Sequence, residues 1–320
     1  MFLESMGFLL FGFILLVISS EYLVKALSKI AICLNMNEFT IGFIVVAMAT
    51  SLPELIIGIN SAFDGVPSLS LGNVIGANII DLTLIVGIIA ILRRGIKIET
   101  KTVKTDSVYM FLIALLPLVL FLDGELSRYD GLILLGSFFM YLWRLFNQER
   151  RFRDRLLCEN KRELYVGIIM AVVCVYLLCV SANIVVDASR VIAEEYLMVP
   201  PILVGLFMLS FGTTLPELIF ETRAIFMKHQ YMALGDLIGS VILNSSLVLG
   251  VVSIIHPINA DPLVFMTSAF FLVVVAFLFM TFVKAEGHIL WQEGVALILL
   301  YVLFLIFELN LRFFENGGLI

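Results

Sequence analysis

Residues 42–90 and 205–253 align without a gap and share 15 of 49 positions. The identities include Gly42/Gly205, Thr50/Thr213, Pro53/Pro216, Glu54/Glu217, Gly72/Gly235, Gly76/Gly239 and Gly87/Gly250. This repeat constrains the fold because of what separates its copies. Apolar residues make up 61% of the chain and charged residues 14%, with a mean hydropathy of +1.09. A soluble domain carries about a quarter charged residues, so the chain reads as an integral membrane protein. A membrane-crossing helix needs about 20 mostly apolar residues. Ten stretches qualify, at roughly 6–30, 38–62, 69–92, 106–122, 128–147, 164–189, 199–226, 231–255, 261–283 and 289–311. The runs are long and lack period-2 alternation, which excludes barrel strands. Equivalent positions lie five spans apart. Five is odd, so the halves insert in opposite directions. The predicted fold is an all-α membrane protein with ten transmembrane helices arranged as two inverted five-helix repeats. Residues 1–147 form the first repeat, 148–163 a charged linker and 164–320 the second, within one integrated transmembrane domain. Inverted repeats of this kind build many secondary transporters, with the binding site at the repeat interface near the midplane.

Loop charge sets the expected orientation. Lys25 and Lys29 lie between spans 1 and 2, and Arg93, Arg94, Lys97, Lys101 and Lys104 between spans 3 and 4. Arg150, Arg151, Arg153, Arg155, Lys161 and Arg162 lie between spans 5 and 6, Arg223 and Lys228 after span 7, and Lys284 after span 9. The alternate loops are nearly free of basic residues. The positive-inside rule then puts the 148–163 loop in the cytoplasm and both termini outside, in a multi-pass protein of the plasma membrane. No cleavable signal peptide is evident, so the first apolar run reads as a retained helix. Cys33, Cys158, Cys174 and Cys179 show no paired spacing, and His229, His256 and His288 are scattered near span ends, which suggests neither a disulfide framework nor a zinc site.

The chemistry sits in four segments. Ala49-Thr50-Ser51-Leu52-Pro53-Glu54 returns as Gly212-Thr213-Thr214-Leu215-Pro216-Glu217. A proline inside a helix removes one hydrogen bond, so Pro53 and Pro216 are expected to free the carbonyls of Ala49 and Gly212. Such carbonyls are tolerated at membrane depth only where they face protein, water or an ion. Thr50 and Glu54 are four residues apart and are expected on one helix face. An acid at the bilayer centre costs roughly 2.5–3.5 kcal/mol on insertion scales and marks a functional site by default. No Lys or Arg in the spans is expected deep enough to neutralise Glu54 or Glu217. The other two segments, Gly72-x-x-x-Gly76 and Gly235-x-x-x-Gly239, let helices approach closely. Each leads to a polar residue, Asp81 in the first half and Asn244 in the second, and Ser240 shares the Asn244 face. Asn73 and Asp236 are expected to cap their helices. Glu21 and Asp187 are expected to pair with Lys25 and Arg190, and Glu221 to sit on the cytoplasmic approach.

Glu54, Glu217 and Asp81 supply three carboxylates, and Thr50, Ser51, Thr213, Thr214, Ser240 and Asn244 supply neutral oxygens. An all-oxygen set suits hard cations such as Ca2+, which takes six to eight oxygens. Three negative charges exceed one Na+, so a divalent ion, or several monovalent ions or protons, is expected.

At these residues the chain resembles the sodium/calcium exchanger family of the cation/calcium antiporter superfamily, especially its prokaryotic ten-helix members. The resemblance implies that Thr50, Ser51, Glu54, Thr213, Thr214, Glu217 and Ser240 line the ion sites, with Asp81 and Asn244 at the centre. It implies Ca2+ moved against Na+ by alternating access, spans 1 and 6 sliding across the rest, with no cofactor and no enzymatic reaction. Three positions depart from the usual family pattern. Asp81 and Asn244 stand in reversed order, Ala77 replaces a serine, and Asp236 replaces an asparagine. The counter-ion therefore stays open between Na+, H+ and K+. A cation channel is the rival reading and would need a continuous pore, usually within a ring of subunits. An intramembrane enzyme finds no hydrolytic motif in the chain. The expected partners are the ions and the lipid bilayer, with no nucleic acid and no obligate protein partner.

Overall fold

A computed structural model describes residues 2–34, 38–98, 101–150, 161–194, 204–260, 262–285 and 287–315. Most of the 148–163 linker and the side chains of Asp187 and Arg190 lie outside what is described. The described residues form ten helical spans. Span 1 is Phe2–Leu34. Span 2 is broken into Glu38–Thr50 and Leu52–Phe63. Spans 3, 4 and 5 are Ser68–Arg93, Lys101–Leu120 and Arg128–Arg150. Span 6 is Lys161–Glu194 and span 7 is 204–226, interrupted at Thr214. Spans 8, 9 and 10 are Gln230–Ile255, Pro262–Ala285 and Trp291–Glu315. Among the described residues, five helices meet the length and hydropathy needed to cross a membrane by themselves, and the bent pair of span 2 makes a sixth.

The helices run a few residues past the apolar stretches because charged residues at the membrane boundary continue the last turns. Span 3 shows how a run ends. Arg94 and Gly95 turn left-handed, with φ 56° and 119°. The Gly95 N–H then bonds back to the Ala90 carbonyl at 2.8 Å, closing the helix with a αL turn.

Two short strand pairs place the loops. Ile96–Lys97, between spans 3 and 4, pairs antiparallel with His288–Ile289, between spans 9 and 10. Glu125–Leu126, between spans 4 and 5, pairs with Ile258–Asn259, between spans 8 and 9. Exchanging the two halves turns one pair into the other, as an inverted repeat requires. The interior contacts obey the same exchange. A Cβ at Gly87 would meet the Gly294 carbonyl at 2.7 Å, and one at Gly250 would meet the Gly131 carbonyl at 3.1 Å. Span 3 therefore lies against span 10 just as span 8 lies against span 5.

Burial separates a centre from a periphery. The apolar windows of spans 3 and 8 are 83% and 78% buried, against 44%, 44% and 28% for spans 4, 9 and 10. Spans 2, 3, 7 and 8 pack together at the centre, and spans 1 and 6 pack along each other. Phe139, Trp143 and Phe270 are exposed on the outer spans, where apolar side chains meet lipid.

Four segments depart from α-helical winding in a way the sequence did not announce. Gly42–Ala47, Asp81–Ile85, Val204–Leu209 and Asn244–Val248 are wide π-type turns. They fall at matching places in the two halves. Such turns occur mostly at functional positions, because each leaves the ordinary i to i−4 ladder.

Candidate functional site

The site is built around two helix breaks. Span 2 stops at Thr50 and restarts at Leu52, with the pieces bent by 41°. Ser51 at the break has φ −79° and ψ 3°, and Thr214 at the matching break has φ −83° and ψ 0°. Pro53 and Pro216 are the second residues of the new helices. A proline in a first turn gives up an N–H that had no intrahelical partner. The prolines thus start helices where interior kinks were expected. This also corrects the expected single helix face. Thr50 and Glu54 flank the break, on two differently directed helices.

The threonines tie the halves together. Thr50 Oγ1 lies 3.2 Å from Asp236 Oδ1 and 3.2 Å from the Val46 carbonyl. At the mirrored position Thr213 Oγ1 lies 3.4 Å from Asn73 Oδ1 and 3.3 Å from the Ser210 carbonyl. Each hydroxyl has one proton to donate, shared between an interspan acceptor and its own helix. Thr214 Oγ1 donates to the Ser210 carbonyl at 2.9 Å. Deeper in the bundle, Asn244 Nδ2 donates to Asn78 Oδ1 at 3.3 Å, and Asn78 Nδ2 donates to Ser245 Oγ at 2.9 Å.

Asn73 and Asp236 correct the sequence reading. Asn73 and Asp236 stand well inside helices that begin at Ser68 and Gln230. Both residues are completely buried, as is Asn78, so the two side chains serve the interior and cap nothing. Glu221, expected on an approach path, is also buried, with 2% exposure. A useful signal was present: a polar residue six or seven positions into an apolar helix is too deep to cap it.

Every expected site residue is buried: Thr50, Ser51, Glu54, Asp81, Thr213, Thr214, Glu217, Ser240 and Asn244. The carboxylates of Glu54, Asp81, Glu217 and Asp236 lie close enough to repel one another, and Glu221 joins them through Asp236 and Asp81. Both oxygens of Glu54 and of Asp81 lack a hydrogen-bond partner, as do Ser51 Oγ, Glu217 Oε2, Glu221 Oε1, Asp236 Oδ2, Ser240 Oγ and Asn244 Oδ1. The Thr213 hydroxyl faces the Glu54 carboxylate but does not reach it with hydrogen-bond geometry. A buried unsatisfied polar group costs about 1–3 kcal/mol, and more if charged. So many acceptors with so few donors suit a positive guest. Among the described residues, no three acidic, histidine or cysteine side chains converge tightly enough to hold a metal alone. Neutral oxygens must therefore complete any coordination sphere. The donor set is oxygen throughout, which fits a hard cation carried as cargo.

The spans also hold an ion pair near their ends. Arg144 of span 5 bonds the fully buried Asp106 of span 4. Its guanidinium also lies 4.0 Å from the Tyr109 ring centroid. It is committed to Asp106, not to either glutamate. The expected Glu21–Lys25 pair forms at 2.7 Å.

Comparison with known proteins follows the same lines. The family described as sodium/calcium exchanger protein matches residues 4–147 and 166–310. Inner membrane protein YrbG of Escherichia coli (strain K12) is 30% identical over 275 residues, covering 82% of this chain and 83% of that protein. Sodium/calcium exchanger MaX1 of Methanosarcina acetivorans is 28% identical over 341 residues, covering 93% of this chain and 96% of that protein. A solved structure of the sodium-calcium exchanger NCX_Mj, soaked with 10 mM Na+ and 10 mM Sr2+, superposes with a TM-score of 0.83 at 27% identity, over 95% of this chain and 98% of that one.

Proposed function

The chain belongs to the sodium/calcium exchanger protein family, and from that membership we propose that it moves Ca2+ across the membrane in exchange for Na+ by alternating access. It is a multi-pass membrane protein and a cation/Ca2+ antiporter, not an enzyme, and its ions are substrates. One observation carries the site assignment. Glu54 and Glu217 occupy equivalent places in two oppositely inserted halves and are buried among oxygens that lack partners. Two carboxylates related in this way can share and balance one divalent ion, and Asp81 would add a third carboxylate beside them. Thr50, Ser51, Thr213, Thr214, Ser240 and Asn244 would provide neutral ligands to Ca2+ and to the Na+ that replaces it.

The conformational change is assigned to spans 1 and 6, which pack along each other. NCX_Mj, described in terms of extracellular ion exchange and induced binding-site occlusion, supports such a cycle here. The two halves, 1–147 and 164–320, would act as one transmembrane unit. By the positive-inside rule the basic loops favour a cytoplasmic 148–163 linker, with both termini outside the plasma membrane.

A second reading keeps the antiport and changes the counter-ion to H+ or K+. Two features favour it. Ala77 offers no side-chain oxygen where the other half has Ser240, and Asp236 and Glu221 add carboxylates able to hold other cations. Uptake of radiolabelled Ca2+ by proteoliposomes under imposed Na+, K+ or pH gradients tests both. Uphill accumulation driven by an outward Na+ gradient is the expected result. Accumulation driven only by a pH or K+ gradient selects the second reading. Flux that runs only down the Ca2+ gradient, whatever the counter-ion, removes antiport coupling altogether.

A further inference from the structure

The two strand pairs that mark the faces of the protein share a backbone design and differ in charge. On one face, Ile96–Lys97 and His288–Ile289 border a cavity of ≈ 550 Å³. Among the described residues, Arg93, Arg94, Lys97, Lys104 and His288 line it, and no described acidic residue does. On the opposite face the equivalent strands carry Asn259 in place of Lys97 and Glu125 in place of His288. The fold therefore does not require the basic lining. One copy of a repeated framework has been loaded with cations and the other has not.

Lys104 comes from span 4, and a Cβ at Gly287 would lie 3.4 Å from its Nζ. That ammonium thus reaches the loop between spans 9 and 10. Backbone geometry fixes Arg93 and Arg94, since span 3 ends there in a left-handed turn. The Arg93 guanidinium lies 5.7 Å from the Phe226 ring centroid. Phe226 closes the helix Leu215–Phe226, which carries Glu217 and Glu221. The cavity is therefore in contact with an element that builds the ion site.

From this arrangement we propose that the cavity binds the phosphate-bearing headgroup of an anionic phospholipid. Placement selects a lipid over a soluble anion. The cavity sits where spans 3, 4, 9 and 10 leave the membrane, and buried Ile98 and half-buried Leu290 form its apolar part. Next to Leu290, the half-exposed Trp291 opens span 10, a position at which indole rings mark the bilayer boundary. Basic pockets between spans at the cytoplasmic boundary are suited to anionic headgroups. With the orientation favoured by the basic loops, the cytoplasmic leaflet supplies the lipid.

Fluorescence can test this without measuring exchange, so the result stands apart from the antiport reading. The full chain carries two tryptophans, Trp143 and Trp291. Trp143→Phe leaves Trp291 as the single reporter. The protein is placed in phosphatidylcholine vesicles with about a quarter of the lipid as phosphatidylglycerol in both leaflets, brominated in one lipid class at a time. Brominated phosphatidylglycerol should quench Trp291 as though enriched roughly fivefold or more over its bulk fraction. Lys97→Asn, which copies the opposite face, should reduce that preference several-fold, and Lys97→Gln with Lys104→Gln should remove it. The milder variant keeps the test usable if the double one does not fold. Equal quenching by the two lipids overturns the proposal. So does a preference that survives in the folded lysine variants, since the attraction would then belong to the surface at large. Loss of the preference in millimolar inorganic phosphate would assign the cavity to a soluble anion and overturn the lipid assignment.

Discussion

Thr50 Oγ1 and Asp236 Oδ1 stand 3.2 Å apart, joining the break in span 2 to the first half of span 8. The mirrored bond, Thr213 to Asn73, uses an amide oxygen as acceptor. The second half thus holds a carboxylate where the first holds a neutral group, although the bond to threonine is the same. Asp236→Asn should keep that bond and remove a charge from a cluster of repelling carboxylates. The expected outcome is a thermal midpoint equal to or above that of the parent. Apparent Ca2+ affinity should fall on the order of tenfold, as one attractive charge leaves the low-dielectric centre. Paired thermal unfolding and Ca2+-dependent uptake check both parts. Unchanged Ca2+ affinity would restrict Asp236 to holding Thr50.

Glu54 and Glu217 should behave differently from Asp236. If they are the shared ligands of the transported ion, Glu54→Gln and Glu217→Gln each remove a charge that no neutral oxygen replaces. Exchange should drop by roughly 100-fold or more in either variant, at about 1.4 kcal/mol per factor of ten. Folding should persist, because an amide of the same shape relieves repulsion at a buried position. Near-normal uptake in either variant, with intact protein by gel filtration, would remove that glutamate from the site.

The sequence displayed the repeat, the spans and the acids because each leaves a local mark: matched glycines, long apolar runs, a carboxylate where none should be. Glu54, Glu217 and Asp81 were visible for that reason. Asp236 and Asn73 were legible as polar, and their depth past the expected helix starts was the signal that they are interior and not caps. The wide turns at Asp81–Ile85 and Asn244–Val248 left no composition signal, because they arise from packing between spans. The Arg144–Asp106 pair escaped notice because its partners lie 38 residues apart, near the ends of separate apolar runs.

Ala77 tests the counter-ion. It is fully buried in span 3, and Ser240 matches it in the other half. Ala77→Ser would restore the second hydroxyl of the pair and give the site another neutral oxygen for Na+. The expected outcome is a several-fold lower Na+ concentration for half-maximal Ca2+ release from loaded vesicles. No change in Na+ dependence would show that this oxygen is not what limits Na+ binding.

Gly235 tests the close approach of spans 2 and 8. A Cβ there would sit 2.2 Å from the Phe39 carbonyl, a backbone atom that cannot swing aside. Gly235→Ala must therefore push the two helices apart just below Asp236. Overpacking of this kind costs about 1–3 kcal/mol. The thermal midpoint in detergent should fall, and the Thr50–Asp236 bond should lengthen. A midpoint equal to that of the parent would mean that the spans separate without strain.

Arg144 and Asp106 form an ion pair between spans 5 and 4. Asp106 is fully buried, and Arg144 supplies the only ion pair shown for it among the described residues. The adjoining Tyr141 ring packs 5.0 Å from Phe43, which lies in the wide turn Gly42–Ala47. Arg144→Ala would leave a buried carboxylate without its ion-pair partner, a loss of about 3–5 kcal/mol. Removing both charges, as Asp106→Leu with Arg144→Met, should recover most of that stability, because an apolar pair leaves no charge to solvate. The double variant should also retain Ca2+ exchange, since neither residue belongs to the oxygen set around Glu54 and Glu217. If thermal unfolding instead finds the double variant no more stable than Arg144→Ala, the guanidinium supports the fold mainly by stacking on Tyr109, and its charge matters little.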